Sequence, residues 1–89
     1  MRYTIKIDRE ALKALACMPA KVQRQIARRI DELADNPHPA DAIQIKGGND
    51  FWRIRCGNYR IAYQVRRAVL LILVVRVGHR KDFYRYFDH

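Results

Sequence analysis

Arginines recur at alternate positions in the second half of the chain, and this spacing is the first indication of chemistry. Arg53 and Arg55 stand two residues apart in a segment, residues 51–55, that is typical of a β-strand. Successive side chains of a strand point to opposite faces, so the two arginines share one face while Trp52 and Ile54 occupy the other. We expect Trp52 and Ile54 to belong to the core and both arginines to lie on the open face of a sheet.

The next predicted strand, residues 59–65, adds a third arginine to this face. Arg60 alternates with Ile61 and Tyr63, so it points away from the apolar face and can join Arg53 and Arg55 across a strand pair. Arg80 and Lys81 follow the last predicted strand. We expect them to close the same concave surface.

Three arginines on one face repel one another, and the acids nearest to them in sequence are Asp50 and Asp82. An anionic ligand would supply the missing negative charge, and the planar guanidinium fork favours phosphate. The alternative is that acidic residues from positions 8–41 reach across and pair with the arginines.

The net charge of +9 supports a polyanionic ligand, because it is unevenly distributed over the 89 residues. Residues 1–44 carry eight basic and six acidic side chains, whereas residues 45–89 carry ten basic and three acidic ones. Such asymmetry is typical of nucleic-acid binding, although a solvated basic surface is the simpler alternative. The longest apolar run, residues 68–75, is too short to span a bilayer. We therefore expect no association with membranes.

The C-terminal tail combines aromatic and basic residues beside this basic half. Its four aromatic residues are Phe83, Tyr84, Tyr86 and Phe87. RNA bases stack on such rings while cations hold the phosphates, but a terminal aromatic segment can equally dock on the core.

Cys17 and Cys56 form neither a disulfide framework nor a zinc signature. We expect free thiols, with Cys17 in the core, and neither a metal nor a cofactor nor a small-molecule ligand.

Helical periodicity marks the first half of the chain and strand periodicity the second. A strand over residues 3–7 precedes a helix that Asp8 caps and that runs to about Cys17. Pro19 suits the first position of a second helix, which ends near Leu33. Residues 42–45 are predicted to form a short strand or a loop. Further strands follow over residues 51–55, 59–65 and 69–77, with turns at 47–50, 56–58 and 66–67. This pattern predicts an α+β fold in one domain, residues 1–89, with the order β-α-α-β-β-β. A helical hairpin packs on one face of a mostly antiparallel, twisted sheet.

Over nearly its whole length the chain resembles the RelE/ParE superfamily of toxins from type II toxin–antitoxin systems. The resemblance is carried by short segments in a set order: residues 13–19, 30–33, 36–37, 45–47, 51–55, 57–61 and 77–80. It implies a microbial-RNase-like fold and a cytoplasmic, ribosome-dependent endoribonuclease that needs no metal. Such an enzyme cleaves mRNA in the A site of the 30S subunit, and its partner is a cognate antitoxin protein. The alternative within the superfamily is a ParE-like inhibitor that binds DNA gyrase without nuclease activity.

The resemblance also implies roles for individual residues. The predicted catalytic residues are Arg55, Arg60, Arg80 and Tyr84, and the predicted RNA-binding residues are Lys46, Arg53, His79, Lys81 and Tyr86. The family's C-terminal tyrosine falls on Tyr84 by its neighbours or on Tyr86 by its distance from Arg80. Arg53 and Arg55 replace lysines of well-studied members. Since an arginine stays protonated, the general base remains open between His79 and Tyr84.

Overall fold

The computed structural model describes residues 2–45 and 50–81, which form a five-stranded sheet with two helices on one face. The elements in chain order are β1 (Thr4–Ile7), α1 (Arg9–Ala16), α2 (Ala20–Leu33), β2 (Ile43–Gln44), β3 (Phe51–Cys56), β4 (Tyr59–Arg66) and β5 (Leu71–His79). The strands lie in the order β1-β5-β4-β3-β2, with β1 parallel to β5 and the other neighbours antiparallel. The predicted α+β class and mostly antiparallel sheet are confirmed. Within these residues no helix has the length and apolar character needed to cross a membrane.

The helices begin where short-range signals predict. The Asp8 carboxylate accepts a hydrogen bond of 2.8 Å from the backbone N–H of Arg9, which confirms the predicted cap of α1. Pro19 is the N-cap of α2, one position before the predicted one. Its extended ψ of 147° places it outside the helix, which begins at Ala20. Cys17, predicted to lie in the core, is exposed because α1 has already ended there.

The main core lies between the helices and one face of the sheet. Ala11 of α1 and Ile26, Ile30 and Leu33 of α2 pack against strand side chains that are almost wholly buried. These strand residues are Ile54, Ile61, Tyr63, Val65, Ile72, Val74 and Val77. The predicted assignment of Ile54 to the core is confirmed, and Trp52 packs against the same cluster.

Two turns determine where the last strands begin. Gly57 adopts a φ of +59° in the two-residue connection between β3 and β4, a conformation that glycine reaches without strain. Between β4 and β5, Arg67–Val69 form a 3-10 turn and Leu70 takes a φ of +51°. This longer connection delays β5 to Leu71, two residues later than predicted, and the strand runs on to His79.

Candidate functional site

The open face of the sheet carries a cavity of about 400 Å³ that is rich in arginine. Its lining residues are Ala40, Asp41, Ile43, Arg53, Arg55 and Arg60. β3 contributes Arg53 and Arg55, and β4 contributes Arg60, as strand alternation predicts. The volume of the cavity lies within the size range of ordinary ligand sites.

Arg60 is the most firmly held of the three arginines. The residue is only 7% exposed, and its Nη1 donates hydrogen bonds to the carbonyls of Gly57 at 3.3 Å and Tyr59 at 3.1 Å. Its Nε has no hydrogen-bond partner within the described residues. The hairpin turn therefore orients the guanidinium through one nitrogen, while other donors remain for an anion.

Arg55 lies directly opposite Arg60 in the register of β3 and β4, and its side chain is exposed. Within residues 2–45 and 50–81, neither guanidinium forms a salt bridge with a carboxylate. The neighbouring strand on the other side of Arg60 presents Gly78, whose missing side chain leaves open space. Two arginines at opposite register positions, beside open space, are suited to binding a phosphate group.

Asp41 also reaches the cavity, yet it does not neutralise these arginines. Both of its carboxylate oxygens accept hydrogen bonds from Nη2 of Arg29, at 2.9 and 2.8 Å. Partial burial alone would raise the pKa of the Asp41 carboxyl. The bonds from Arg29 and from the backbone of Arg55 outweigh this effect and lower its pKa below the usual value. The alternative that acids from residues 8–41 pair with the strand arginines is therefore wrong for Asp41 with Arg55 and Arg60, because its ion pair is with Arg29 of α2.

A family model for the ParE toxin of type II toxin–antitoxin systems (parDE) matches residues 5–84 of the chain. The chain belongs to the RelE/ParE toxin superfamily. A RelE-like toxin protein of Escherichia coli is 36% identical over 83 residues, covering 91% of this chain and 86% of that one. The mRNA interferase toxin RelE of E. coli K12 is 29% identical with the same coverage.

Solved structures of toxin–antitoxin complexes share the fold. The archaeal RelE–RelB complex from Pyrococcus horikoshii contains a chain with a TM-score of 0.80 and 30% identity. That match covers 90% of this toxin and 97% of that chain. The intact E. coli RelBE complex gives a TM-score of 0.75 at 28% identity, covering 86% of this toxin and 95% of that chain.

A small apolar patch adjoins the arginines of the toxin on the same face of the sheet. Ala62, which lies opposite Arg53, is fully buried and packs with Ile45, Phe51 and Val75. This patch is a second, smaller core, and none of its residues lines the arginine cavity. Sequence reasoning placed Phe51 on this face but missed the patch, because Ile45 and Val75 come from distant segments.

His79 lies on the helical side of the sheet and does not line the arginine cavity. Its ring contacts Tyr59 edge-on, with centroids 5.7 Å apart, and it borders a second cavity of about 500 Å³ beside Lys13 and Cys17 of the α1 region. The reason is a bulge in β5. Ala62 pairs with Arg76 but Tyr63 pairs with Val74, so one extra residue reverses the alternation before His79.

The predicted residues that follow β5 lie at the end of the β3–β4 hairpin. The backbone N–H of Arg80 donates to the carbonyl of Asn58 at 2.9 Å, and the side chains of Arg80 and Lys81 are exposed. Arg80 is thus anchored one residue from Gly57, whose carbonyl holds Arg60. Lys46, Tyr84 and Tyr86 lie outside the described residues.

The loop that carries Asp41 is braced against the helical side of the sheet. The Tyr63 hydroxyl donates to the carbonyl of Pro37 at 2.7 Å, and the His38 ring meets Trp52 edge-on at 4.5 Å. Burial raises the pKa of Tyr63, so its hydroxyl remains a donor at neutral pH. The pKa of His38 is lowered by burial and by the charge of Arg67. These two effects outweigh that of Asp50, which would raise the pKa.

Proposed function

We propose that the toxin is an endoribonuclease that cleaves mRNA on the ribosome, with the arginine cavity as its active site. The observation that carries the proposal is the convergence of Arg53, Arg55 and Arg60 on one cavity, where Arg60 is buried and held by the hairpin turn. A relative that is 29% identical is named an mRNA interferase, which supports the same activity.

The reaction is an internal transfer of the phosphodiester. The 2′-oxygen loses its proton and attacks the adjacent phosphorus, the bond from phosphorus to the 5′-oxygen breaks, and that oxygen takes up a proton. The products are a 2′,3′-cyclic phosphate and a 5′-hydroxyl. Arg60 and Arg55 stabilise the negative charge that develops on the phosphorane oxygens. Arg80 stabilises or protonates the leaving oxygen, and Tyr84 stacks on a base or assists proton transfer.

The arginines also account for a dependence on the ribosome. A guanidinium keeps its proton at neutral pH, so none of them is an efficient general base. Holding the 2′-oxygen in line with the leaving group lowers the barrier without strong acid–base groups, and the decoding site can supply that alignment. Activity on mRNA under translation places the toxin in the cytoplasm.

An antitoxin is the natural inhibitor of such a site. The structural neighbours include RelE–RelB complexes. The cavity offers a partner the guanidinium groups of Arg55 and Arg60, which form no salt bridge within residues 2–45 and 50–81. We infer that an acidic or amphipathic antitoxin segment covers the cavity, where it can pair with the guanidinium groups of Arg55 and Arg60. Calorimetry with the product of the neighbouring gene tests this, and the absence of tight binding would contradict it.

The test of the proposed activity is a brief induction of the toxin followed by transcriptome-wide mapping of mRNA 5′ ends. We expect new ends in phase with codons and confined to translated regions. Intact mRNA together with an induced DNA-damage response would contradict the nuclease and favour inhibition of gyrase.

A further inference from the structure

The outer edge of β3 is incomplete beside Arg55. β2 contains two residues, with Ile43 opposite Arg53 and Gln44 opposite Trp52. Extending this antiparallel register backwards along the chain would bring Asp41 opposite Arg55, but β2 begins only at Ile43. The N–H and C=O of Arg55 therefore lack a partner strand on that edge, and such groups need another partner.

Two side chains take the place of the missing strand. Oδ2 of Asp41 lies 3.5 Å from the backbone nitrogen of Arg55, and Nε of Arg29 donates to the Arg55 carbonyl at 3.2 Å. Arg29 and Asp41 also hydrogen-bond to each other through both carboxylate oxygens. The two contacts with the Arg55 backbone therefore depend on each other. The side chain of Arg29 is 23% exposed, so α2 holds it against the sheet. One ion pair thus fixes both main-chain groups of Arg55.

The same pair keeps an acid from interfering with the cavity. Asp41 lines the cavity together with Arg53, Arg55 and Arg60. A carboxylate without a partner at that position would attract the nearest guanidinium, because the interaction of opposite charges is strong in a partly desolvated cleft. Arg29 occupies both oxygens and therefore leaves the positive potential of the cavity intact.

We propose that Arg29 and Asp41 are positioning residues for RNA cleavage. They hold the backbone of Arg55 beside Arg60, and Arg29 prevents the Asp41 carboxylate from pairing with the cavity arginines. The inference rests on the proposed function, since it assigns the pair a task in that reaction.

The test measures cleavage by the full-length protein on ribosomes programmed with a labelled mRNA. We expect Arg29→Ala to lower the rate at saturating protein by about tenfold, with little change in the half-saturating concentration. The Arg55 carbonyl loses its donor, and the released Asp41 carboxylate pairs with a cavity arginine. The double variant Arg29→Ala/Asp41→Asn should recover to within about threefold of wild type, because no carboxylate is left to compete. The remaining loss is that of the hydrogen bond to the Arg55 carbonyl. Arg28→Ala is the matched control, since Arg28 is an exposed neighbour of Arg29 on the same helix. It should keep the wild-type rate.

The double variant separates positioning from a merely structural role. A pair that only stabilised the fold would leave the double variant no more active than Arg29→Ala, and that result would overturn the proposal. A wild-type rate for Arg29→Ala would overturn it as well. Should Arg29→Ala be unfolded at the assay temperature, Arg29→Lys replaces it. Lysine keeps a charge beside Asp41 but cannot reproduce the guanidinium fork, and an unchanged rate would again contradict the proposal.

Arg60→Ala distinguishes failure of this inference from failure of the proposed function. If Arg60→Ala is inactive and Arg29→Ala is fully active, the cavity is the active site and only the positioning role is wrong. If Arg60→Ala is fully active, the cavity is not the active site and both proposals are wrong.

Discussion

The two faces of the sheet differ sharply although the same strands build both of them. On the helical side, Ile54, Ile61 and Tyr63 are fully buried under α1 and α2. On the open side, the neighbouring positions carry Arg53, Arg55 and Arg60 around a cavity. The helices cover one face of the sheet. The other face is not covered by helices, so polar and charged side chains can lie on it. The main core therefore lies on the helical side, and the three arginines of the cavity lie on the open side.

Ile61 tests the helical side with the largest expected loss of stability. The side chain is fully buried in the main core. Ile61→Ala should lower the free energy of unfolding by about 3 kcal/mol, because it removes buried methylenes and leaves a cavity. Urea titration followed by fluorescence of Trp52, the single tryptophan, measures this. Ile61→Val should lose only about 1 kcal/mol. A loss for Ile61→Ala as small as that for Ile61→Val would show that the helical side is not closely packed.

A substitution of Arg80 tests the open side of the sheet. In contrast to Ile61→Ala, we expect it to reduce activity without reducing stability. The side chain of Arg80 is exposed, and its link to the hairpin is a backbone hydrogen bond to Asn58 that alanine retains. Arg80→Ala should reduce cleavage by about 100-fold, as expected for loss of a group acting on the leaving oxygen. Growth inhibition in cells should disappear while the thermal unfolding temperature stays unchanged. Full toxicity of Arg80→Ala would remove this residue from the site.

The contrast between the faces was predictable from sequence because alternation along a strand is a local property. It placed Arg53, Arg55 and Arg60 correctly without knowledge of the strand order. The face on which His79 lies could not be predicted in this way. The bulge in β5 reverses the alternation, and a bulge depends on the pairing between strands. The ion pair of Arg29 and Asp41 could not be predicted from strand alternation for a related reason. The path of the loop after α2 and the start of β2 only at Ile43 bring the two residues together, and neither follows from local periodicity.

A substitution of His38 is expected to have the smallest effect on stability. It tests the contact between His38 and Trp52, which holds the loop that carries Asp41 against the sheet. The pKa of His38 is lowered in the folded protein, so the unfolded chain binds the proton more readily. The contribution of His38 to the free energy of unfolding is complete above the pKa of the unfolded chain, about 6.5. It declines as the pH falls from that value toward the lower pKa of the folded protein. His38→Phe keeps a ring beside Trp52 but cannot titrate. Urea titrations at pH 7.5 and 5.5 should show a smaller loss of stability on acidification for this variant than for wild type. An equal loss would exclude His38 as a cause.

The most direct test of the central claim compares wild type, Arg60→Ala and Arg24→Ala on ribosomes programmed with a labelled mRNA. Arg24 is an exposed arginine of α2, so its removal changes the net charge equally without touching the cavity. Wild type and Arg24→Ala should cut within the A-site codon at the same rate, leaving a 5′-hydroxyl on the downstream fragment. Arg60→Ala should remain folded and cut at least about 100-fold more slowly, as expected when a donor to the transition-state charge is removed. Cleavage by Arg60→Ala at the wild-type rate would contradict the assignment of the arginine cavity as the active site.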